Sequence, residues 1–136
     1  MSSTPEEVAT RLFAAMSEND MATAESLYAD DFKLWHSFDK QIRGRAECLA
    51  MVELLGRVAT RRYRLLESLP VGNRVSQRYE LTLNAPGIWT DHHIDLAVFL
   101  TVVDGKIVWM EEYIDSRDAG EAMAAVKAAG FVPAAD

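Results

Sequence analysis

The chain has one cysteine, Cys48, in 136 residues. No internal disulfide can form and no paired-cysteine metal motif exists, so a reducing cytoplasm is the expected location. Basic residues are scarce too. Fourteen Lys and Arg stand against 21 Asp and Glu, a formal net charge of -7. A nucleic-acid binder needs a basic stripe, and anionic membrane surfaces attract basic segments, so neither partner is expected. No apolar run is long enough to span a bilayer. The opening MSSTPEE lacks the charged and apolar regions of a secretory signal. Phosphate-cradling and dinucleotide-binding glycine patterns are absent, as is GxSxG, and no cofactor is expected.

What is present is ordinary for a globular protein: 49% hydrophobic and 26% charged residues. The length predicts one domain, 1–136, with a core over about 4–130 and a flexible tail, 131–136. Thr4-Pro5-Glu6-Glu7 is a helix start, with Thr as N-cap, Pro in the first turn and Glu three residues after the cap. Val8, Leu12, Ala15 and Met16 continue it as an apolar stripe. Asp20 caps a second, short helix, MATAESLYA. FKLWHSF (32–38) reads as an extended segment, and RAECLAMVELLGRVA as a third helix.

Beyond residue 60 the chain turns β-branched and aromatic. Segments 61–69, 73–84, 90–103 and 106–115 are separated by the turn signals PVGN, NAPG and VDGK, which predicts an antiparallel meander. DAGEAMAAVKAAG closes as a final helix, with Asp118 near its start and Gly130 as the C-cap. Helices gathered before strands predict an α+β domain, a curved sheet with helices on one face.

The last strand poses a question. In DGKIVWMEEYID (104–115), Ile107, Trp109, Glu111 and Tyr113 fall on one face and Val108, Met110, Glu112 and Ile114 on the other. Both faces are mostly apolar, yet each carries a carboxylate. A buried carboxylate is costly unless it has a partner or a use.

The stretches TRLFAAMSENDMATAESLYADDF (10–32), IRGRAECLAMVELL (42–55) and DGKIVWMEEYID (104–115), in this element order, resemble the nuclear transport factor 2-like superfamily, in its SnoaL-like branch. That superfamily also holds ketosteroid isomerase and limonene epoxide hydrolase. The resemblance implies a cone-shaped, cystatin-like domain enclosing an apolar pocket for a small hydrophobic molecule. It also implies a homodimer through the outer face of the sheet. Met110, Glu112 and Ile114 then face the pocket, with Leu12, Met16, Trp35, Met51, Leu55, Ala97 and Phe99 as further lining.

Similarity to the epoxide hydrolases implies a catalytic trio. Glu112 would be the base that activates water, Glu80 the acid, and Arg78 the bridge between them; two carboxylates of unequal acidity can divide such work. His36 falls where ketosteroid isomerase keeps its general base, and histidine titrates near neutral pH. That enzyme's oxyanion-hole positions fall at Leu12 and near Ala97, against isomerase chemistry. His93 and Asp95 share a strand face and form a second acid/base candidate, suited to the aldol-type cyclisation of the SnoaL polyketide cyclases. His92 and His93 point to opposite faces, so Asp91-His92-His93-Ile94-Asp95 by itself is no metal site, and no metal is expected. Arg61-Arg62-Tyr63-Arg64 reads as a solvated face. Three readings follow: an acid/base enzyme acting on an apolar ring compound, a binding module for such a ligand, or a structural dimer with a filled pocket.

Overall fold

A computed structural model describes residues 3–132. Of the tail expected to be flexible, residues 133–136 lie outside the described residues, whereas Phe131 is buried. Its elements are α1 (Pro5–Ser17), α2 (Met21–Leu27), β1 (Tyr28–His36), β2 (Ile42–Gly44), α3 (Arg45–Val58), β3 (Thr60–Val71), β4 (Arg74–Ala85), β5 (Trp89–Val103), β6 (Lys106–Ile114) and α4 (Ser116–Ala128). None of the helices is long and apolar enough to cross a membrane.

Local chemistry sets the ends. Thr4 and Glu7 form a reciprocal capping box at α1, and Asp20 accepts from Thr23 N–H to start α2. α4 begins at Ser116 with Asp118 in its first turn; Asp115 is its N-cap, accepting from the N–H groups of Arg117 and Asp118. It ends in a Schellman motif. Phe131 N–H bonds Val126 O and Gly130 N–H bonds Lys127 O, with Gly130 at φ 110°. Asp104 and Gly105 both take positive φ, the turn that suits a two-residue hairpin between β5 and β6.

The six strands form a curved, unclosed sheet in the order β2-β1-β6-β5-β4-β3. β3 to β6 make the antiparallel meander. β1 joins β6 in parallel, which makes the whole sheet mixed. Register lines up faces across strands: His36 pairs Glu112, Glu112 pairs Val98, and Val98 pairs Gln77. A bulge between Thr101 and Val102 rotates Ile107 onto the buried side, opposite Val102, against the simple alternation of the sequence.

The helices cover one face only. α1 places Leu12 and Phe13 in the core, and the Phe13 ring lies 4.3 Å from Tyr79 and 5.0 Å from Tyr63. Arg61, expected on a solvated face, is buried and half-buried Tyr63 shares its side, while Arg62 and Arg64 point outward. Its guanidinium donates to Met16 O (2.8 Å), Val52 O (2.6 Å) and Asn19 Oδ1 (3.2 Å), tying the end of α1 and the body of α3 to β3. The bond to Met16 falls in the last turn of α1, where carbonyls lack intrahelical partners.

Candidate active site

Between the helices and the inner face of the sheet lies a cavity of about 100 Å³. That is the scale of a space that holds a single ring compound. Its wall is mainly apolar: Leu34, Leu81, Leu83, Ile94 and Met110 from the sheet, and Met16, Met51 and Leu55 from α1 and α3. α4 closes one side with Ala119, Ala122, Met123 and Val126. The polar groups reaching the wall are His36, Glu112, Tyr28 and Tyr63.

Glu112 arrives from β6 beside Met110 and Ile114. Its side chain is 20% exposed and accepts no hydrogen bond from the described residues; His36 Nε2 lies 3.9 Å from Glu112 Oε1. His36 is nearly closed off, at 4% side-chain exposure. Its other nitrogen, Nδ1, lies 3.0 Å from an Arg43 guanidinium nitrogen. A guanidinium only donates, so Nδ1 accepts and the neutral ring carries its proton on Nε2, toward Glu112. Burial lowers the His36 pKa below its ordinary value, Arg43 adds to that, and Glu112 and Asp39 oppose it. The neutral donor form is therefore the resting one near neutral pH.

Arg43, on β2, is buried and paired on both sides. It donates to Asp39 at 2.6 Å, and its Nε lies 3.3 Å from Glu47 Oε1 without the alignment of a hydrogen bond. Asp39 feels burial first, which raises its pKa, but the bonds from Arg43 and Gln41 N–H outweigh it and the net shift is downward. The two phenols behave as neutral donors: burial pushes the Tyr28 and Tyr63 hydroxyls well above the usual tyrosine range. Neither hydroxyl bonds another described residue. Burial also pushes the Cys48 thiol up to about 12, so it is a packed side chain and no nucleophile.

Other sequence candidates sit elsewhere. Arg78 and Glu80 lie on the outer face, opposite Tyr79 and Leu81, and cannot meet Glu112 through the sheet. Glu80 instead pairs Arg64 at 3.0 Å, and Arg78 is exposed. The Arg78 bridge is thus replaced: the arginine held between two carboxylates is Arg43, and it stands behind His36. His93 and Asp95 are also outward; His93 Nδ1 lies 3.0 Å from Thr82 Oγ1. Ala97, Phe99 and Trp35 share that face, where Tyr113 packs 5.3 Å from Trp35 and 5.6 Å from Phe99. Leu12 is core beside the cavity and not part of its wall. The correction has one physical cause. Inward positions of β4 and β5 are the apolar ones, Val75, Tyr79, Leu81 and Leu83, then Ile94, Leu96, Val98 and Leu100, and the charged residues alternate with them.

Five missed residues left traces. Asp39, Arg43 and Glu47 are spaced by four. Tyr63 shares parity with buried Arg61, and Tyr28 follows the inward positions Ala24 and Leu27.

A family model described as a SnoaL-like domain matches residues 9–110. No curated protein matches the sequence. Among solved structures, an LEH-like epoxide hydrolase of M. tuberculosis superposes with a TM-score of 0.74 at 16% identity, covering 96% of this chain and 96% of its own. An uncharacterized cystatin fold protein of Novosphingobium aromaticivorans gives 0.73 at 16%, covering 82% and 98%. A de novo designed protein with a curved β-sheet gives 0.73 at 14%, covering 91% and 95%. At such identities the likeness is one of fold.

Proposed function

The chain belongs to the SnoaL-like family, within the nuclear transport factor 2-like superfamily, and from that premise we propose that its cavity is a proton-transfer site for a small, largely apolar, carbonyl-bearing ring compound. Glu112 is the general base. It takes a proton from the carbon beside the carbonyl; the freed electron pair forms a carbon–carbon double bond, and the carbonyl oxygen becomes an enolate. His36 Nε2–H donates to that oxygen, held in this tautomer by Arg43. The hydroxyls of Tyr28 and Tyr63 are further donors in the same wall. Return of the proton to another carbon gives isomerisation. Attack of the enolate carbon on a second carbonyl gives aldol-type cyclisation, with the new alkoxide taking the proton from Glu112.

One observation carries this reading. A carboxylate without a hydrogen-bond partner stands in an apolar wall, 3.9 Å from a histidine fixed as a donor. Holding such a group half-buried and unpaired in an apolar wall costs stability. A base and a donor 3.9 Å apart can both reach one substrate, the base at its C–H and the donor at its oxygen. Epoxide opening is the less favoured chemistry, because its second carboxylate, Glu80, lies on the other face of the sheet.

The test is deuterium exchange. Cyclic ketones and enones would be incubated with the protein in D₂O and followed by NMR at the carbon beside the carbonyl. The reading predicts catalysed exchange in the wild type and its loss in Glu112→Gln with binding retained. A ligand bound equally by both, with no exchange in either, makes the cavity a binding module. We also propose a homodimer through the outer face around Phe99 and Tyr113, which are 37% and 44% exposed.

A further inference from the structure

We propose that His92, Asp118 and Glu121 form a divalent-metal site of zinc type that fastens α4 over the cavity. His92 lies near the start of β5, opposite Leu83 of the cavity wall. Asp118 and Glu121 stand one turn apart on α4 and therefore on one helix face. His92 Nε2 is 3.4 Å from Asp118 Oδ1 and 3.8 Å from Glu121 Oε2. One ligand atom from each of the three lies within 4.8 Å of the others. Zinc bonds of roughly 2.1 Å in a tetrahedral arrangement place neighbouring ligand atoms about 3.4 Å apart. Small side-chain adjustments would bring the three atoms to that spacing.

A second, independent observation points to a ligand. The Nε2 atom of His92 is shut off from solvent and makes no aligned hydrogen bond, even to the two carboxylates beside it. Buried polar atoms are nearly always satisfied, and an exception that faces two carboxylates is accounted for by an ion between them. The ring is held for the purpose: Trp89 stacks on it, 6.0 Å between centroids and 10° from parallel. Asp115 already caps the helix, so Asp118 in the first turn and Glu121 beyond it are not needed as caps. Together they outweigh the partial positive charge at the helix N-terminus, which alone would disfavour a cation. Three nitrogen and oxygen ligands leave a fourth position to water, a set that suits zinc. The structural consequence is specific. α4 supplies four residues of the cavity wall, so a metal joining β5 to α4 holds the cavity closed on that side.

The experiment is calorimetric titration of the full chain, stripped with chelator and dialysed, with Zn²⁺ alone. One equivalent per chain is expected. His92→Ala and Glu121→Gln should each weaken it by roughly tenfold or more, whereas His93→Ala, on the outer face, should leave it unchanged. Zn²⁺ should also raise the melting temperature of the wild type and not that of His92→Ala. The proposal is overturned if the wild type binds Zn²⁺ no more tightly than His92→Ala, or if Glu121→Gln binds as the wild type does. The glutamate variant, being at an exposed position, decides the matter should His92→Ala fold poorly.

Discussion

Glu111 and Glu112 are adjacent on β6, and the two faces of the sheet treat them differently. Glu111 looks outward and accepts a hydrogen bond from the Trp109 indole at 3.1 Å. Glu112 looks into the cavity and accepts none from the described residues. The outer face as a whole follows Glu111: Glu80 with Arg64 and His93 with Thr82 are exposed or half-buried pairs. Inside, polar groups are few: His36 is fixed by Arg43, while Glu112 and the Tyr28 and Tyr63 hydroxyls have no hydrogen-bond partner among the described residues. An outward charge can always turn to water, so its neighbours tune it little. An inward one answers to three or four fixed side chains, and the unpaired one is where chemistry is available.

The sharpest way to break this comparison is to exchange the fates of the two carboxylates. Glu112→Gln should reduce turnover by about 10²- to 10⁴-fold, the range typical of a lost general base. Its melting temperature should hold or rise, since a half-buried carboxylate without a hydrogen-bond partner is removed. Glu111→Gln should stay within about twofold of wild-type turnover. Equal effects of the two on single-turnover rates would sink the assignment of Glu112.

Arg43 gives the next largest effect. Arg43→Met strands Asp39 and Glu47 and leaves His36 Nδ1 without its donor. Breaking this half-buried network and leaving His36 Nδ1 unsatisfied should cost about 1–3 kcal/mol, readable by urea denaturation. Arg78→Ala, an exposed arginine on the outer face, should cost at most about 0.5 kcal/mol.

His36 sets a pH signature. Its folded pKa lies below the ordinary 6.5, so the unfolded chain binds the proton more readily. The stabilising contribution is complete above pH 6.5 and is lost as pH falls through the folded value. Melting temperature should therefore decline on acidification below 6.5, and His36→Gln should remove that part of the decline. The Asp39 contribution is lost only at lower pH, below its ordinary 3.8, which separates the two. The smallest effect belongs to the outer face. Tyr113→Lys should shift the proposed dimer toward monomer in analytical ultracentrifugation while leaving the cavity chemistry within about twofold. A variant that stays dimeric would place the interface elsewhere.

Much of this was written locally in the chain. Thr4 to Glu7 caps its own helix, Asp104-Gly105 makes its own turn, and alternation along β6 sends Glu112 to the side of Met110 and Ile114. These features depend on neighbours a few residues apart, where spacing alone fixes geometry. Alternation also held the truth about Arg78 and Glu80. Val75, Tyr79, Leu81 and Leu83 are the apolar side of β4, and a residue one place along a strand must face the other way. Likeness to the epoxide hydrolases outweighed that parity for β4, and a similar family match misplaced His93 and Asp95 on β5.

What the sequence could not decide is which distant groups meet. His36 and Glu112 are 76 positions apart and come together because β1 joins β6 in parallel at that register. Arg61 is buried because carbonyls of α1 and α3 converge on it, and His92 finds Asp118 and Glu121 only when α4 folds back over the cavity. Each strand and helix is specified by near neighbours. The cavity, its unpaired carboxylate and the His92 cluster are specified by strand order, register and the return of the last helix, which exist only once the whole core has closed.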